Sequence, residues 1–460
     1  MTEIISSSSE NARVVADAGA IPIFVHLTSN TALKGDNWNR ALQEQAARAL
    51  GKFACDLKCR DILRTDRAVW MCLSAGISLV EEVRPSLTMV RISIWSLRKL
   101  CPLALCHTTI RFPSGTSPRL HCNIFAPLLA SLLVRDDLVR YDAFVLSEAC
   151  SILASICAHD GLTGSSGVKM VLDLERACPG IRRHFVVLAS QTSRKQVHVK
   201  TNALHLVFNI LKFGNDEHVQ MMLEVSVLSC LRRLLDDSDS NTNTVNRTFR
   251  ALSNIAIPQN GLTPLPSRIQ PIFDDGALLS RMVGFLEGSS CQVPLKTICD
   301  LISEGTLAQI KALVNHGCVE ALSNLLGVEQ NSHAPLDGDI PLLMLYGDGI
   351  DGEEAIPEAA LFGIETILLE GHGEGLPELI AHNGKTKLRN LLRRRPDLGS
   401  RVGGILDLIC GSSCNWCGAY GRKLFHCGNY LSHQCLVRYC NRECCRHDWK
   451  THKCICPGTL

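Results

Sequence analysis

Ten of the 23 cysteines lie from Cys410 onward, and their spacing is that of metal ligands. Cys414 and Cys417 form C-x2-C in "CNWC". Cys440 and Cys444 form C-x3-C in "CNREC". His452 and Cys456 form H-x3-C, and Cys427 and Cys435 lie between these pairs. Ligands two or three residues apart suit a tetrahedral zinc ion, because one tight turn aims both donors at one metal. Eight such residues make two four-ligand sites, so two structural Zn2+ ions are expected. His433 could stand in for Cys435, and Cys454 for Cys456. The thiolate preference of closed zinc sites and the H-x3-C spacing favour Cys435 and Cys456.

From Cys414 to Cys456 there are 43 residues. So short a unit gains little from an apolar core. Structural zinc supplies about 10 kcal/mol of folding free energy in such units. Disulfides are not expected, because the sequence points to a reducing compartment. "MTEIISSSSE" has no basic region leading into an apolar run, so it does not read as a secretory signal. The longest uncharged apolar segments, such as "APLLASLLV", fall far short of the ~18 residues needed to cross a bilayer. A cytoplasmic or nuclear location is therefore expected, with reduced thiols. Thirteen other cysteines are spread over the preceding residues, and those such as Cys157, Cys230 and Cys299 lie in apolar helical contexts and read as small buried hydrophobes.

The terminal segment resembles the MYND-type zinc finger family. "CNWC", "YCNREC" and "DWKTHKCIC" match its C-x2-C, its aromatic before C-x3-C, and its D-W-x2-H-x3-C. The resemblance implies interleaved sites. Cys414, Cys417, Cys440 and Cys444 would hold one zinc; Cys427, Cys435, His452 and Cys456 would hold the other. It also implies a proline-containing peptide as partner, seated in a shallow groove beside Trp449, although a large aromatic there also reads as simple packing of a small fold. Two features depart from the family. "CGNYLSHQC" is longer than the second C-x2-C, and Cys445 stands where the family often has a glutamine that helps hold the peptide. From Cys414 onward there are seven basic residues and two acidic ones. Thiolate-ligated zinc is net negative, so much of that excess is expected to compensate the sites through charge-assisted hydrogen bonds.

Upstream, the pattern changes to helical periodicity, as in "ALQEQAARALGKFA" and "NALHLVFNILKF". Two segment types recur. The first is an apolar residue, a short polar pair, a glycine and an amphipathic helix, as around Gly19, Gly276, Gly317 and Gly384. The second is L-x-N-I, seen as "LSNI" at Leu252 and "VFNI" at Val207. Looser copies begin at Leu50, Ile94, Leu153, Ile298 and Ile364, and the successive gaps are 44, 59, 54, 45, 46 and 66. A period of about 40–47 residues marks stacked two- or three-helix units that bury their apolar faces against one another. These segments resemble the armadillo family. The resemblance implies a protein or peptide held along a groove lined by the third helix of each repeat, with Asn209 and Asn254 as groove asparagines. The equivalent positions elsewhere are Lys52, Ser96, Ser155, Asp300 and Thr366. Both asparagines also have a simpler reading, as caps or solvated positions on a helix face.

The expected architecture is thus mainly α. Residues 1–12 are read as a disordered start and 13–400 as armadillo/HEAT-like helical repeats forming an α-solenoid. A mobile insertion is expected over about 328–357, and a small cross-braced MYND-type zinc finger over 410–460. The prolines of "IPQNGLTPLPSRIQP" are not expected to continue a helix. "KTKLRNLLRRR" reads as the wet face of a late repeat helix.

No catalytic constellation is found. "NGKTK" lacks the upstream glycine of a phosphate loop, where Leu379 stands instead. "VNHGC" at Val314–Cys318 matches a methyltransferase tetrapeptide, but occupies the turn-glycine slot of a repeat. With a net charge of +2 the chain has no strong overall pull on nucleic acid or acidic membrane. The expected function is a non-catalytic, zinc-binding adaptor for protein partners. Two alternatives are a RING-like ubiquitin-ligase role and a transcriptional regulator touching nucleic acid. The C-x3-C of Cys440 and Cys444 differs from RING spacing. The basic run is only the electrostatic half of a nucleic-acid footprint.

Overall fold

A computed structural model gives the three-dimensional structure. It describes residues 3, 5, 8–29, 37–78, 87–101, 119–134, 142–159, 166–191, 196–237, 241–257, 266–288, 292–326, 355–370, 375–412, 425–426 and 438–439. The chain divides into two compact units, with the boundary after Thr263.

The first unit contains α1 (Ser9–Asp17), α2 (Ala20–Ser29), α3 (Asn37–Phe53), α4 (Leu57–Thr65), α5 (Arg67–Ser78), α6 (Leu87–Leu100), α7 (Arg119–Leu133), α8 (Ala143–His159), α9 (Ser166–Asp173), α10 (Ile181–Ala189), α11 (Val197–Phe213), α12 (Asp216–Glu224), α13 (Val227–Asp236) and α14 (Thr242–Ala256). Two shorter helices precede each of α3, α6, α11 and α14; α7 alone precedes α8 among the described helices. The long third helices pack in series: α3 on α6, α6 on α8, α8 on α11, and α11 on α14. Their core is fully buried, with Phe53, Phe125, Phe185 and Phe249 as its largest side chains. Trp70 stacks on Phe125 at 5.3 Å between ring centroids.

The second unit contains α15 (Pro266–Asp274), α16 (Gly276–Gly284), α17 (Gln292–Glu304), α18 (Leu307–Asn315), α19 (Cys318–Leu325), α20 (Ala355–Glu370), α21 (Leu376–Ala381), α22 (Gly384–Arg394) and α23 (Gly399–Ser412). The same grammar holds, with α17 against α20 and α20 against α23. A short antiparallel pair, β1 (Phe425–His426) and β2 (Arg438–Tyr439), follows in register Phe425 to Tyr439 and His426 to Arg438.

All seven L-x-N-I copies lie on long third helices, from Leu50 on α3 to Ile364 on α20. An eighth third helix, α23, was missed. Its signal is "LDLI" at Leu406, 42 residues after Ile364. The helical array thus runs to Ser412 rather than to residue 400. Helix α1 starts at Ser9, inside the stretch read as disordered, because the Ser8 hydroxyl caps it by accepting from the Asn11 N–H at 3.0 Å. The proline-rich stretch is also corrected in part. Pro266 opens α15, where its missing N–H costs nothing, and Pro271 sits inside the helix. The insertion expected over 328–357 lies outside the described residues up to 354, and α20 begins at Ala355.

The turns explain the recurrent glycines. Gly19 and Gly317 adopt φ of 81° and 83°, the left-handed region that lets one helix stop and the next start at once. "VNHGC" is therefore a turn between α18 and α19, with Cys318 buried. In the fourth slot it is Asn383, at φ 58°, that turns the chain. Gly384 instead lets α22 approach α21, since a Cβ there would overlap Leu379. Gly180 and Ser226 make the same turn at φ 86° and 65° without the flanking pattern. On α22, Leu388 and Leu391 are buried while Arg389, Arg393 and Arg394 are exposed, as the periodicity predicts.

One cap ties distant helices together. Asp56 accepts the N–H groups of Lys58 and Cys59, both at 3.0 Å, at the start of α4. Arg13 of α1 reaches the same carboxylate at 2.9 Å. The Arg13 hydrogen bond is the main reason its pKa falls from 3.8 to about 2. Because the folded value lies below the ordinary one, the stabilisation is complete above about pH 4 and fades as pH falls toward 2. Asp56→Ala should lower stability by about 1–2 kcal/mol at neutral pH, with the difference from the parent shrinking in acid; urea unfolding at several pH values measures it. A close approach gives the second expectation. A Cβ on Gly51 of α3 would overlap the Trp95 indole and the Ser96 hydroxyl of α6. Gly51→Ala should lose about 1–3 kcal/mol in the same assay.

Candidate functional site

The eight expected zinc ligands, Cys414, Cys417, Cys427, Cys435, Cys440, Cys444, His452 and Cys456, lie outside the described residues, as do His433, Cys445, Cys454 and Trp449. Among the described residues no group of three or more His, Cys, Asp or Glu is placed to hold a metal. The scattered cysteines among the described residues are free and mostly buried. Burial pushes the thiols of Cys230 and Cys299 up to about 12, which makes them apolar fillers at neutral pH.

The described candidate is the face formed by the third helices of the first unit. These helices repeat one register, so equivalent residues line up from helix to helix. The expected groove asparagines do not present their amides to solvent. Asn209 on α11 is buried, and its Nδ2 donates to the Ala154 carbonyl of α8 at 2.8 Å. Asn254 is buried as well. Asn202, two turns before Asn209, donates to the Ser147 carbonyl at 3.1 Å and to its hydroxyl at 2.8 Å. Ser96 lies 2.8 Å from the Ile92 carbonyl and 3.1 Å from that of Ala47 on α3. Ser155 and Thr366 bond back to their own helices. At Ser96 and Asn209 this register position is therefore a seam between helices, and the Asn209 amide is neither a cap nor solvated.

The side chains beside the seam reach the face. Half-buried Trp95 on α6 has the Lys52 and Lys99 ammonium groups 5.8 and 5.9 Å from its ring centroid. Phe208 on α11 stacks against His205 at 6.4 Å and lies 5.9 Å from Lys212. Arg247 on α14 donates to the Thr201 carbonyl of α11 at 3.4 Å. Burial, then Arg247 and Lys212, hold the His205 imidazole down at about 4, so it is neutral at physiological pH. The sequence reading placed Lys52 at a groove-equivalent position but missed Trp95, Lys99, Phe208 and Lys212. Their signal is an aromatic one residue before the Ser96 or Asn209 position and a lysine three residues after it.

The seam between α6 and α8 carries two ion pairs. Arg91 meets Asp142 at 2.8 Å and Arg98 meets Glu148 at 2.5 Å, joining α6 to the start of α8. Burial raises the Glu148 pKa, and Arg98 offsets part of that rise.

Comparison with known proteins agrees with this geometry. The chain superposes on a chain solved in work on a conserved phosphorylation switch that controls the interaction between cadherin and beta-catenin. The TM-score is 0.53 with 12% identity, over 91% of this chain and 73% of that one. The fold is an armadillo-like helical array. In sequence, the chain is 28% identical over 241 residues to importin subunit alpha-1b of Oryza sativa subsp. japonica, which is 52% of this chain and 37% of that protein. It is 29% identical over 240 residues to importin subunit alpha-3 of Arabidopsis thaliana, covering 52% and 38%. A shorter match, 37% over 102 residues, joins it to importin subunit alpha-2 of the same plant, covering 22% and 17%. The matched stretches thus span well under half the length of these relatives. No family model matches the chain. No helix among the described residues is long and apolar enough to cross a membrane.

Asn209→Ala removes a buried donor from the α8–α11 seam. It should cost about 1–2 kcal/mol in chemical unfolding, with helical content unchanged by circular dichroism.

Proposed function

We propose that this chain is a non-enzymatic scaffold that holds a protein partner along its third-helix face and carries a zinc finger at its C-terminal end. The observation that carries the first part is the serial packing of the third helices. It joins short helices into one binding face without spending the side chains beside the seams. Relatives named as importin subunits, and a fold shared with a chain from a cadherin–beta-catenin study, support a role in binding other proteins rather than in chemistry. A cytoplasmic or nuclear setting follows the same reading.

The finger is read as MYND-type, with two structural zinc ions. Cys414, Cys417, Cys440 and Cys444 would hold one, and Cys427, Cys435, His452 and Cys456 the other. Seven thiolates and one imidazole are a donor set suited to closed zinc sites. The zinc would cross-link the segment, while partner binding by the finger would add a proline-containing peptide as a second class of ligand.

Two versions of the protein test both parts: the full chain and one ending at Ser412. Purified under reducing conditions, the full chain should contain zinc at about two ions per chain by elemental analysis, and the shortened one none. Both should share the same helical circular dichroism. Partners captured by proximity labelling in cells and kept by the shortened chain belong to the helical face. A metal-free full chain would remove the finger, and loss of every partner on shortening would remove the helical face as the binding surface.

A further inference from the structure

Helix α22 in the second unit carries a run of positive charge that its own dipole only half supports. Over Gly384–Arg394 it holds Lys385, Lys387, Arg389, Arg393 and Arg394 and no carboxylate, and Arg395 follows at its end. The dipole favours Arg393 and Arg394 in the last turn but disfavours Lys385 and Lys387 near the first. Lys385, Arg389 and Arg393 stand four residues apart, so three like charges share one stripe and repel. Arg389 and Arg393 are exposed and make no ion pair with a described residue. Neighbouring described carboxylates are engaged at the helix ends: Glu320 meets His382 at 3.2 Å, and Glu358 and Asp397 meet Arg395 at 2.6 and 2.7 Å.

The same helix touches both ends of one acidic connection. Residues 327–354, between α19 and α20, hold seven carboxylates and no lysine or arginine, and four of the seven (Asp348, Asp351, Glu353 and Glu354) fall within seven residues. Where that connection leaves α19, the Lys387 ammonium donates to Asn324 Oδ1 at 2.7 Å and Arg394 donates to the Leu326 carbonyl at 2.8 Å. Where it re-enters, Arg395 donates at 2.6 Å to Glu358 in the first turn of α20. Glu354 stands four residues before Glu358 and Asp348 ten. An extended chain spans about 13–33 Å over those distances, at about 3.3 Å per residue. From Arg395 back to Lys385 is ten residues, about 15 Å along a helix. The four carboxylates are therefore within reach of every charge on α22.

We propose that the stripe of Lys385, Arg389 and Arg393 on α22 is a docking surface for the acidic segment 348–354 of the same chain. Helix α22 is one of the two shorter helices before the long helix α23, so this surface is distinct from the third-helix face. Concentration decides the occupant. A segment held at both ends by its own chain acts at an effective concentration on the order of millimolar, which a free polyanion has to exceed. Arginine suits the task, because its guanidinium stays charged and forks onto a carboxylate through paired hydrogen bonds. Counter-charge on the stripe also relieves the repulsion between residues four apart, so docking and the helix support each other. A nucleic acid or other polyanion then gains α22 only by displacing the segment.

Two measurements on the full chain test this. Arg389→Lys with Arg393→Lys keeps the charge and places amines on the stripe. Zero-length carbodiimide cross-linking, read by peptide mass spectrometry, should join those lysines to residues 348–354, and the yield should fall sharply at about 1 M salt. Lys296, exposed on α17, should not join that segment. The second measurement uses a short oligothymidylate as a polyanion probe. Asp348→Asn, Asp351→Asn, Glu353→Gln and Glu354→Gln together free the stripe, so the probe should bind this variant at least about tenfold more tightly than the parent. Adding Arg389→Gln with Arg393→Gln should remove that gain. Adding Lys58→Gln with Arg176→Gln, exposed in the first unit, should leave it within about twofold. Circular dichroism confirms that each variant is folded. Absent cross-links, or equal binding by the parent and the neutralised chain, overturns the proposal. Tight binding of the probe by the parent, lost with Arg389→Gln and Arg393→Gln, overturns it in favour of an external polyanion.

Discussion

Everything in the first unit depends on how closely one third helix can approach the backbone of the one before it. A helical carbonyl keeps a second lone pair after accepting its own N–H, and four side chains use it across seams. Ser96 reaches Ala47, Asn202 reaches Ser147, Asn209 reaches Ala154, and Arg247 reaches Thr201. Asn202 and Asn209 share one offset of 55 residues over two turns, so α8 and α11 run in the same direction. Such reach needs small residues opposite. Two of the acceptors are alanines, and Gly51 leaves room for the Trp95 indole against α3. At the equivalent position on α3, the Lys52 side chain turns over Trp95.

The periodic features were legible in the sequence because a stacked array repeats its packing demands. The L-x-N-I markers fall on third helices since leucine and isoleucine there face neighbours on both sides. What failed was the direction of single side chains. Asn209 matched a groove position, yet a motif along one helix cannot say whether the next helix comes close enough to claim the amide. The turn glycines divided for a similar reason. Gly19 and Gly317 are required by a positive φ, whereas Gly384 is required by contact with Leu379, and Ser226 makes the turn with no glycine at all. The aromatic–lysine pairs were missed because each looks like an ordinary helical neighbour pair. Their meaning lies in being repeated at one register two helices apart. The eight expected zinc ligands lie outside the described residues, so that part of the sequence reading has no structural counterpart.

The carboxylates of the first unit are placed at helix starts, turns and ion pairs. Asp56 and Asp142 each take N–H groups at a helix start, where the dipole favours negative charge, and each also receives an arginine from another helix. Glu175 accepts the Gly180 and Arg182 N–H groups around the tight turn before α10. Asp237 meets Lys200 at 2.5 Å. Acidic groups so placed serve the seams and the turns. Lys52, Lys99 and Lys212 in turn lie in the last turns of α3, α6 and α11, where the helix dipole favours positive charge.

Cysteine shows the same division of labour. Inside the array, Cys72, Cys150, Cys230 and Cys299 are buried, and burial pushes their thiols up to about 12. A metal ligand must be the thiolate, so each of these would have to lose a proton against that shift before it could bind zinc. Packing therefore removes them from competition for metal without any disulfide. If the C-terminal ligands hold zinc as proposed, selectivity among 23 chemically identical residues comes from the fold that hides most of the others. Folding of the helices and loading of the finger are then linked. A chain whose helical array has not formed offers zinc additional thiols at ordinary pKa, and misloading becomes a cost of incomplete folding.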